Sequence, residues 1–203
     1  DGCDGDAFTA TVTVNPEPVG VAAPASQTVC SDEAITEIDL STSNGMDAGT
    51  TYAWTRDNTT DVTGLANSGT GNITGTPNNV TGSVQVVTYT IIPTSGDGCD
   101  GDAFTATVTV NPEPDIIVNT DSVICSGENT LINIINPNTL ISGDWKYDLE
   151  VIADPEIGGA TGSQSGITMP SFNETLTNSD TIVHKVAYHF IPRITPDDGG
   201  SDC

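Results

Sequence analysis

The sequence predicts an all-β fold built from two tandem antiparallel sandwiches. Residues 1–18 recur letter for letter as residues 97–114, so the chain contains an internal repeat with a period of 96 residues. Several segments alternate apolar residues with threonines, which is the pattern of a half-buried strand. Residues that favour helices are scarce, whereas β-formers are common. A repeat of this size with about seven short strands fits an immunoglobulin-like sandwich.

The duplicated stretch is predicted to be the last strand of a repeat. Phe104, Ala106, Val108 and Val110 alternate with threonines. Proline cannot donate a hydrogen bond to a sheet, so the Asn-Pro-Glu-Pro sequence at 111–114 ends the strand and starts a stiff, extended junction. Residues 1–14 are therefore expected to be the closing strand of a preceding repeat.

The first complete repeat is predicted to span residues 15–114, and the second spans residues 115–203. In the first repeat, extended segments are predicted at 19–21, 27–30, 34–41, 50–56 and 83–94, with one or two short edge strands between 57 and 82. In segment 83–94, Val87, Tyr89 and Ile91 share one face and are expected in the core. The second repeat is a diverged copy, with strands predicted at 115–118, 122–125, 130–135, 145–147 and 181–192.

The second repeat is expected to lack its last strand within this chain, because residue 203 falls where that strand would begin. The preceding strand would then have an open edge with unpaired backbone groups. Two arrangements would supply the missing strand. Either the polypeptide continues and its next residues provide it, or separate chains assemble head to tail and residues 7–14 of one fill the slot of another. The covalent junction at 111–114 favours the continuous polypeptide.

The charge of the chain excludes some classes of partner. It carries 28 acidic residues against four basic ones, for a net charge of −24. Nucleic acids and anionic membranes are bound through basic patches, so neither is an expected partner. No apolar run is long enough to span a bilayer, and membrane insertion is not expected. The acidity favours solubility and the binding of divalent cations.

The cysteines follow the repeat and predict disulfides. Cys30 and Cys125 occupy matching early positions, whereas Cys99 and Cys203 occupy matching late ones, as does Cys3. One early and one late cysteine in each repeat predict the pairs Cys30–Cys99 and Cys125–Cys203, with Cys3 unpaired. The alternative, a metal site, has no CxxC motif or Cys/His cluster to support it. Regular disulfides indicate an oxidising location outside the cytoplasm.

Three motifs together resemble a known family. They are V-C-S-x-E at residues 29–33, Y-x-W at residues 52–54, and the late pattern over residues 87–114. The chain resembles the PKD-like, immunoglobulin-like repeats of giant Bacteroidota cell-surface adhesins of the gliding-motility type, which are exported by type IX secretion. The resemblance implies a non-catalytic module of a long extracellular surface protein, acting as stalk and cell-surface adhesin. Its implied partners are neighbouring repeats of the same polypeptide, and surface glycans or other cell-surface proteins.

An acidic turn is the best candidate for a metal site. Asp97, Asp100 and Asp102 lie in a turn with two glycines, and the same pattern occurs at residues 1–6. Hard cations prefer oxygen ligands from a short flexible loop, so the turn predicts a calcium site. The alternative is a solvated acidic turn whose glycines serve the turn dihedrals. No other cofactor is predicted.

Two residues are candidates for glycosylation. Ser122 and Thr181 each follow an aspartate and precede an aliphatic residue, which resembles the O-glycosylation sites used in Bacteroidota. The alternative is coincidence, since a motif of three residues recurs by chance in a chain rich in threonine.

Enzyme activity is not expected, because the sequence holds none of the common catalytic motifs. His184 and His189 lie five residues apart in one predicted strand and would point to opposite faces. The alternative function is a carbohydrate-binding accessory module of a secreted enzyme. Such a module would expose aromatics as a sugar platform, whereas the tyrosine–tryptophan pairs at 52–54 and 145–147 are expected in the sandwich core.

Overall fold

The structure is a computed structural model that describes residues 2–3, 5–137, 143–168, 171–197 and 203. Its regular elements are all strands, so the all-β prediction is confirmed; among these residues no helix has the length and apolar character to cross a membrane. The strands are β1 (Gly20–Ala23), β2 (Ser26–Cys30), β3 (Asp39–Thr42), β4 (Thr51–Arg56), β5 (Val62–Thr63), β6 (Ser68–Thr70), β7 (Asn78–Asn79), β8 (Gln85–Thr94), β9 (Phe104–Asn111), β10 (Ile117–Asn119), β11 (Ile132–Ile135), β12 (Gly143–Ala153), β13 (Ile157–Gly158), β14 (Gln164–Ile167), β15 (Ser171–Phe172), β16 (Thr177–Asn178) and β17 (Val186–Pro196).

The first repeat is built on a five-stranded sheet in the order β2-β9-β8-β4-β6. Two-stranded sheets β1-β3 and β5-β7 complete the sandwich, and the two layers enclose one core. The alternation predicted for β8 is confirmed, since Val87, Tyr89 and Ile91 are buried. Trp54 on β4 contacts Tyr89 edge to face, with ring centroids 5.5 Å apart.

One pair in this sheet is parallel, which differs from the expected antiparallel sandwich. The chain leaves β1, passes through Pro24 and Ala25, and enters β2 in the other layer. Proline lacks the N–H that would continue the first ladder, so the strand breaks there. β2 then runs parallel to β9, with Ser26 opposite Thr107 and Cys30 opposite Asn111.

A buried arginine holds the polar segment after β4. Arg56 is 8% exposed. Its guanidinium donates hydrogen bonds to the carbonyl oxygens of Leu65, Ala66 and Asn58 at 3.1, 3.1 and 3.0 Å. These contacts satisfy the buried charge and fix the loop that leads to β5 and β6.

The second repeat has its own core and narrower sheets, of two or three strands each. Its sheets have the orders β10-β11-β15, β14-β12-β17 and β13-β16. Tyr147 and Leu149 on β12 are buried against Ile132, Ile134 and Phe172. By the repeat, β12 corresponds to β4 and β17 corresponds to β8. In the described part of the chain, no strand takes the place of β9.

Two predicted strands do not form, and the same cause explains both. Residues 122–125 were expected to mirror β2, but they are not in a strand. β2 is held by its pairing with β9, and the second repeat has no such partner within the described residues. Residues 1–14 were expected to form a closing strand, but within the described part of the chain residues 5–14 pair with no strand. A strand exists through its ladder partners, so an alternating sequence without a partner stays irregular.

Candidate functional site

The two repeats are joined by a disulfide at their junction. Cys30, at the end of β2, bonds to Cys203, and the two Cα atoms are 5.5 Å apart. Cys203 is held beside β17 by two backbone hydrogen bonds with Ile194, of 2.9 and 3.0 Å. The bond borders a cleft of about 310 Å³ between the repeats, lined also by Glu113 and Pro114 of the junction segment.

The predicted cysteine pairs, Cys30–Cys99 and Cys125–Cys203, are therefore wrong. Cys99 lies in the turn between β8 and β9, whereas Cys30 lies opposite Asn111 at the far end of β9. The seven residue steps from Phe104 to Asn111 span about 23 Å at roughly 3.3 Å per residue. Disulfide Cα atoms lie within about 7 Å of each other, so Cys30 and Cys99 cannot meet. The pair Cys125–Cys203 is excluded because Cys203 is bonded to Cys30.

The remaining cysteines are free thiols in the structure. Cys3 and Cys125 are exposed, and Cys99 is half-buried. The observed bond crosses between repeats, a possibility that the matching of cysteine positions within each repeat did not indicate.

A groove runs along the open edge of β17. β17 pairs with β12 on one side, and no strand of the described residues pairs with its other side. The groove has a volume of about 450 Å³ and lies between β10 and β17; its lining residues are Ile116, Val118, Glu150, Tyr188, His189, Phe190 and Ile191. In the first repeat, β9 occupies the corresponding place, where it pairs with β8 and contacts β1. The groove therefore lies where β9 lies in the first repeat.

The segment that could fill such a groove is exposed at the other end of the chain. Phe8 is 96% exposed, and Val12 and Val14 are each 86% exposed. Their counterparts in the duplicated stretch, Val108 and Val110, are fully buried in the first core. The duplicated sequence is thus a core strand in the copy that pairs with β8, and an exposed, unpaired segment in the copy near the start of the chain.

The acidic turn does not gather its carboxylates into a metal site. Asp97, Asp100 and Asp102 are all exposed. Asp100 accepts a hydrogen bond of 2.7 Å from the hydroxyl of Thr94, which closes the turn. No group of three or more His, Cys, Asp or Glu side chains in the described ranges is placed to hold a metal ion. In the copy at residues 1–6, residues 1 and 4 lie outside the described residues.

The two predicted glycosylation residues are accessible. Ser122 and Thr181 are both exposed and lie outside the strands. The backbone N–H of Thr181 donates to Asp180 at 2.5 Å, so the aspartate of the motif orders the local turn. Glycosylation at these residues stays a prediction.

The aromatic pairs belong to the two cores. Tyr52 and Trp54 are each 8% exposed, and Tyr147 is fully buried. Trp145 is half-buried and packs against the second core, with its ring centroid 5.8 Å from that of Tyr147. A sugar platform needs exposed coplanar rings, and these four rings do not provide one.

One histidine is surrounded by carboxylates, which the sequence did not indicate. The Nδ1 atom of His184 lies 3.3 Å from Asp154 and 3.5 Å from Glu156, and its Nε2 atom lies 3.2 Å from Asp180. His184 precedes β17 rather than lying within it. The hydrogen bond to Asp180, and after it the one to Asp154, raise the pKa of His184 against the opposing effect of burial.

Comparison with known proteins defines the class of the first repeat. Residues 27–114 match the family of PKD-like domains, which covers nearly all of that repeat. With the observed sheets, this match fits a PKD-like domain at residues 27–114 in an all-β, immunoglobulin-like fold.

Likeness to solved structures is weak. The chain is similar to the calcium binding domain CBD12 of CALX1.1, with a TM-score of 0.36 and 16% identity over 88% of this chain and 82% of that one. It is also similar to CBD12 from CALX1.2, with a TM-score of 0.28 and 14% identity over the same shares. No curated protein sequence matches the chain. Likeness at this level does not indicate a shared function.

Proposed function

We propose that this chain is a non-catalytic structural module of a long extracellular surface protein, in which tandem PKD-like repeats form the stalk of a cell-surface adhesin. The resemblance to Bacteroidota gliding-motility adhesins extends the proposal to export by type IX secretion. Neighbouring repeats are the main partners, and surface glycans or other cell-surface proteins are the adhesive targets. The observation that carries the proposal is the match between the open groove of the second repeat and the closing-strand sequence carried by the same chain.

The register of the first repeat indicates how a closing strand would enter the groove. On β8, Tyr89 lies opposite Ala106. Transferred to the second repeat, this register sets Tyr188 of β17 opposite Ala10 of an incoming segment. The backbone of the segment would pair with the open edge, which is the usual mode of strand addition.

The apolar residues of the segment supply the driving force. Val12 and Val14 would pass from 86% exposed to the full burial of Val108 and Val110. Burial of a valine side chain contributes roughly 1.5 to 3 kcal/mol. Pairing also removes the exposed edge of β17, which would otherwise favour uncontrolled association.

A peptide-binding experiment tests this proposal. The receptor is the full chain with Val12→Asp, so that its own segment cannot compete. The probe is a peptide with the sequence of residues 97–114, in which serine replaces the cysteine. In a Trp54→Phe background, Trp145 fluorescence follows thermal unfolding of the second repeat, because Trp145 packs against that core. We expect saturable binding and a rise in the melting temperature of the second repeat, since a ligand of the folded state stabilises it.

The matched control is the same peptide with aspartate at the position equivalent to Val108. It keeps the backbone pairing but cannot enter the core, so it should bind far more weakly. Equal effects of the two peptides, or no effect of either, would contradict the module as proposed. Tight and selective glycan binding by the chain, together with no effect of either peptide, would instead favour the carbohydrate-binding alternative.

A further inference from the structure

The late cysteines of the two repeats share a backbone hydrogen bond to equivalent residues. The backbone N–H of Ser95 donates to the carbonyl oxygen of Cys99 at 2.9 Å, and that of Ile194 donates to the carbonyl oxygen of Cys203 at 3.0 Å. Ser95 and Ile194 are equivalent, since each stands six residues after the matched tyrosine of its repeat, Tyr89 or Tyr188. This shared hydrogen bond places Cys99 and Cys203 beside equivalent residues at the end of the β8-type strand. The second bond differs, since the N–H of Cys203 donates to the carbonyl oxygen of Ile194 at 2.9 Å, whereas the N–H of Cys99 donates to the hydroxyl of Ser95 at 3.1 Å.

The early cysteines are equally matched. Cys30 and Cys125 each accept a hydrogen bond at the carbonyl oxygen, from the N–H of the glutamate three residues later, at 3.2 and 3.1 Å. The hydroxyl of the following serine accepts a backbone N–H in both repeats, from Asn79 at 3.0 Å in the first and from Asn178 at 2.9 Å in the second. Both cysteines thus begin the same turn.

The bonded pair combines one position of each kind from adjacent repeats. Cys30 is the early cysteine of the first repeat, and Cys203 is the late cysteine of the second. If the same kind of bond forms one repeat later, Cys125 pairs with the late cysteine of a following repeat. If it forms one repeat earlier, Cys99 pairs with the early cysteine of a preceding repeat. The accessibility agrees with this pattern. Cys30 is 5% exposed in its bond, whereas Cys125 in the same local structure is free and exposed.

We propose that Cys99 and Cys125 are sites of inter-repeat disulfides, in the register of the observed Cys30–Cys203 bond. Each bond would join the early cysteine of one repeat to the late cysteine of the next. The repeats would then form a staggered covalent ladder that resists extension at every junction. The inference rests on the head-to-tail order of the proposed stalk, and the neighbouring repeat is either a further part of the polypeptide or a second copy of this chain.

The chemistry of each junction is a two-electron oxidation. Two thiols lose two protons and two electrons as the S–S bond forms. A disulfide oxidant, such as oxidised glutathione, accepts them and is reduced to two thiols. An extracellular location would favour the oxidised form.

Second copies of this chain test the inference directly. The full chain with Cys3→Ser is incubated with oxidised glutathione and analysed on non-reducing gels, followed by mass mapping of linked peptides. We expect a ladder of covalent multimers in which Cys99 of one copy is bonded to Cys125 of another, while the Cys30–Cys203 bond is retained. Monomers alone, or a bond between Cys30 and Cys99, would overturn the inference.

Complementary variants give the sharper result. In the Cys3→Ser background, Cys99→Ser alone and Cys125→Ser alone should each stay monomeric. Their mixture should form a heterodimer with a single Cys99–Cys125 bond, and it should not extend further. Homodimers of either variant in comparable yield would show random thiol oxidation and refute the register.

The outcomes also separate this inference from the proposed function. Peptide binding to the groove without a Cys99–Cys125 bond would support the stalk module and refute the ladder. The bond without peptide binding would support the ladder register and contradict strand completion. Addition of Val12→Asp to the Cys3→Ser chain then measures how far cross-linking depends on strand entry, since the cysteines are unchanged.

Discussion

The core assignment makes a quantitative prediction at Tyr89. Its side chain is 1% exposed and packs edge to face against Trp54. Truncation of a buried aromatic to alanine typically costs about 3 to 5 kcal/mol, because transfer energy is lost and a cavity remains. An edge-to-face pair adds roughly 0.5 to 1.5 kcal/mol beyond area, so Tyr89→Ala is expected in the upper part of that range.

Two control variants should each lose less stability than Tyr89→Ala. Tyr89→Phe keeps the ring and its contact with Trp54, and should cost less than about 1.5 kcal/mol. Thr107→Ala lies on the outward face of β9, and should cost less than about 1 kcal/mol.

The assay uses the distribution of tryptophans, with one in each repeat. In a Trp145→Phe background, the fluorescence of Trp54 follows urea unfolding of the first repeat alone. The free energies of unfolding of Tyr89→Ala and Thr107→Ala are then compared. Equal losses would refute the assignment of the two faces, and so would a loss below about 1 kcal/mol for Tyr89→Ala.

Two further predictions concern single polar side chains. Asn79 is buried and donates to the carbonyl oxygens of Val110 at 2.9 Å and Ser83 at 2.8 Å; Asn79→Ala removes both hydrogen bonds from a buried site and should cost about 1 to 3 kcal/mol, measured by the same Trp54 assay. The second prediction concerns pH. The pKa of His184 is raised, so its stabilising contribution is complete below its usual value of 6.5 and is lost as pH rises through the folded-state value. The pKa values of Asp154 and Asp180 are lowered, first by backbone N–H donors, so their contribution is present above 3.8 and is lost as pH falls through the folded-state values. The melting temperature of the second repeat should therefore fall as pH rises above 6.5, and His184→Gln should abolish that fall; an unchanged pH profile would contradict the cluster.

Local pattern determined which residues face the core. The alternation of Val87, Tyr89 and Ile91 with polar neighbours is a property of the strand itself, because side chains point to opposite faces with a period of two. The duplicated stretch likewise identified the repeat and the equivalence of its cysteines. These predictions needed no knowledge of which strands lie side by side.

Strand order and strand direction decided which distant segments come into contact. The parallel pairing of β2 with β9 puts Cys30 at the far end of β9 from Cys99, and no local pattern encodes that direction. Residues 122–125 carry a strand-like sequence but stay irregular, because strands require a partner that the described chain does not offer them. The carboxylates around His184 come from segments brought together by β12 and β17. Periodicity along the chain thus determined the faces of the strands, whereas contacts between distant segments could be decided only by the tertiary structure.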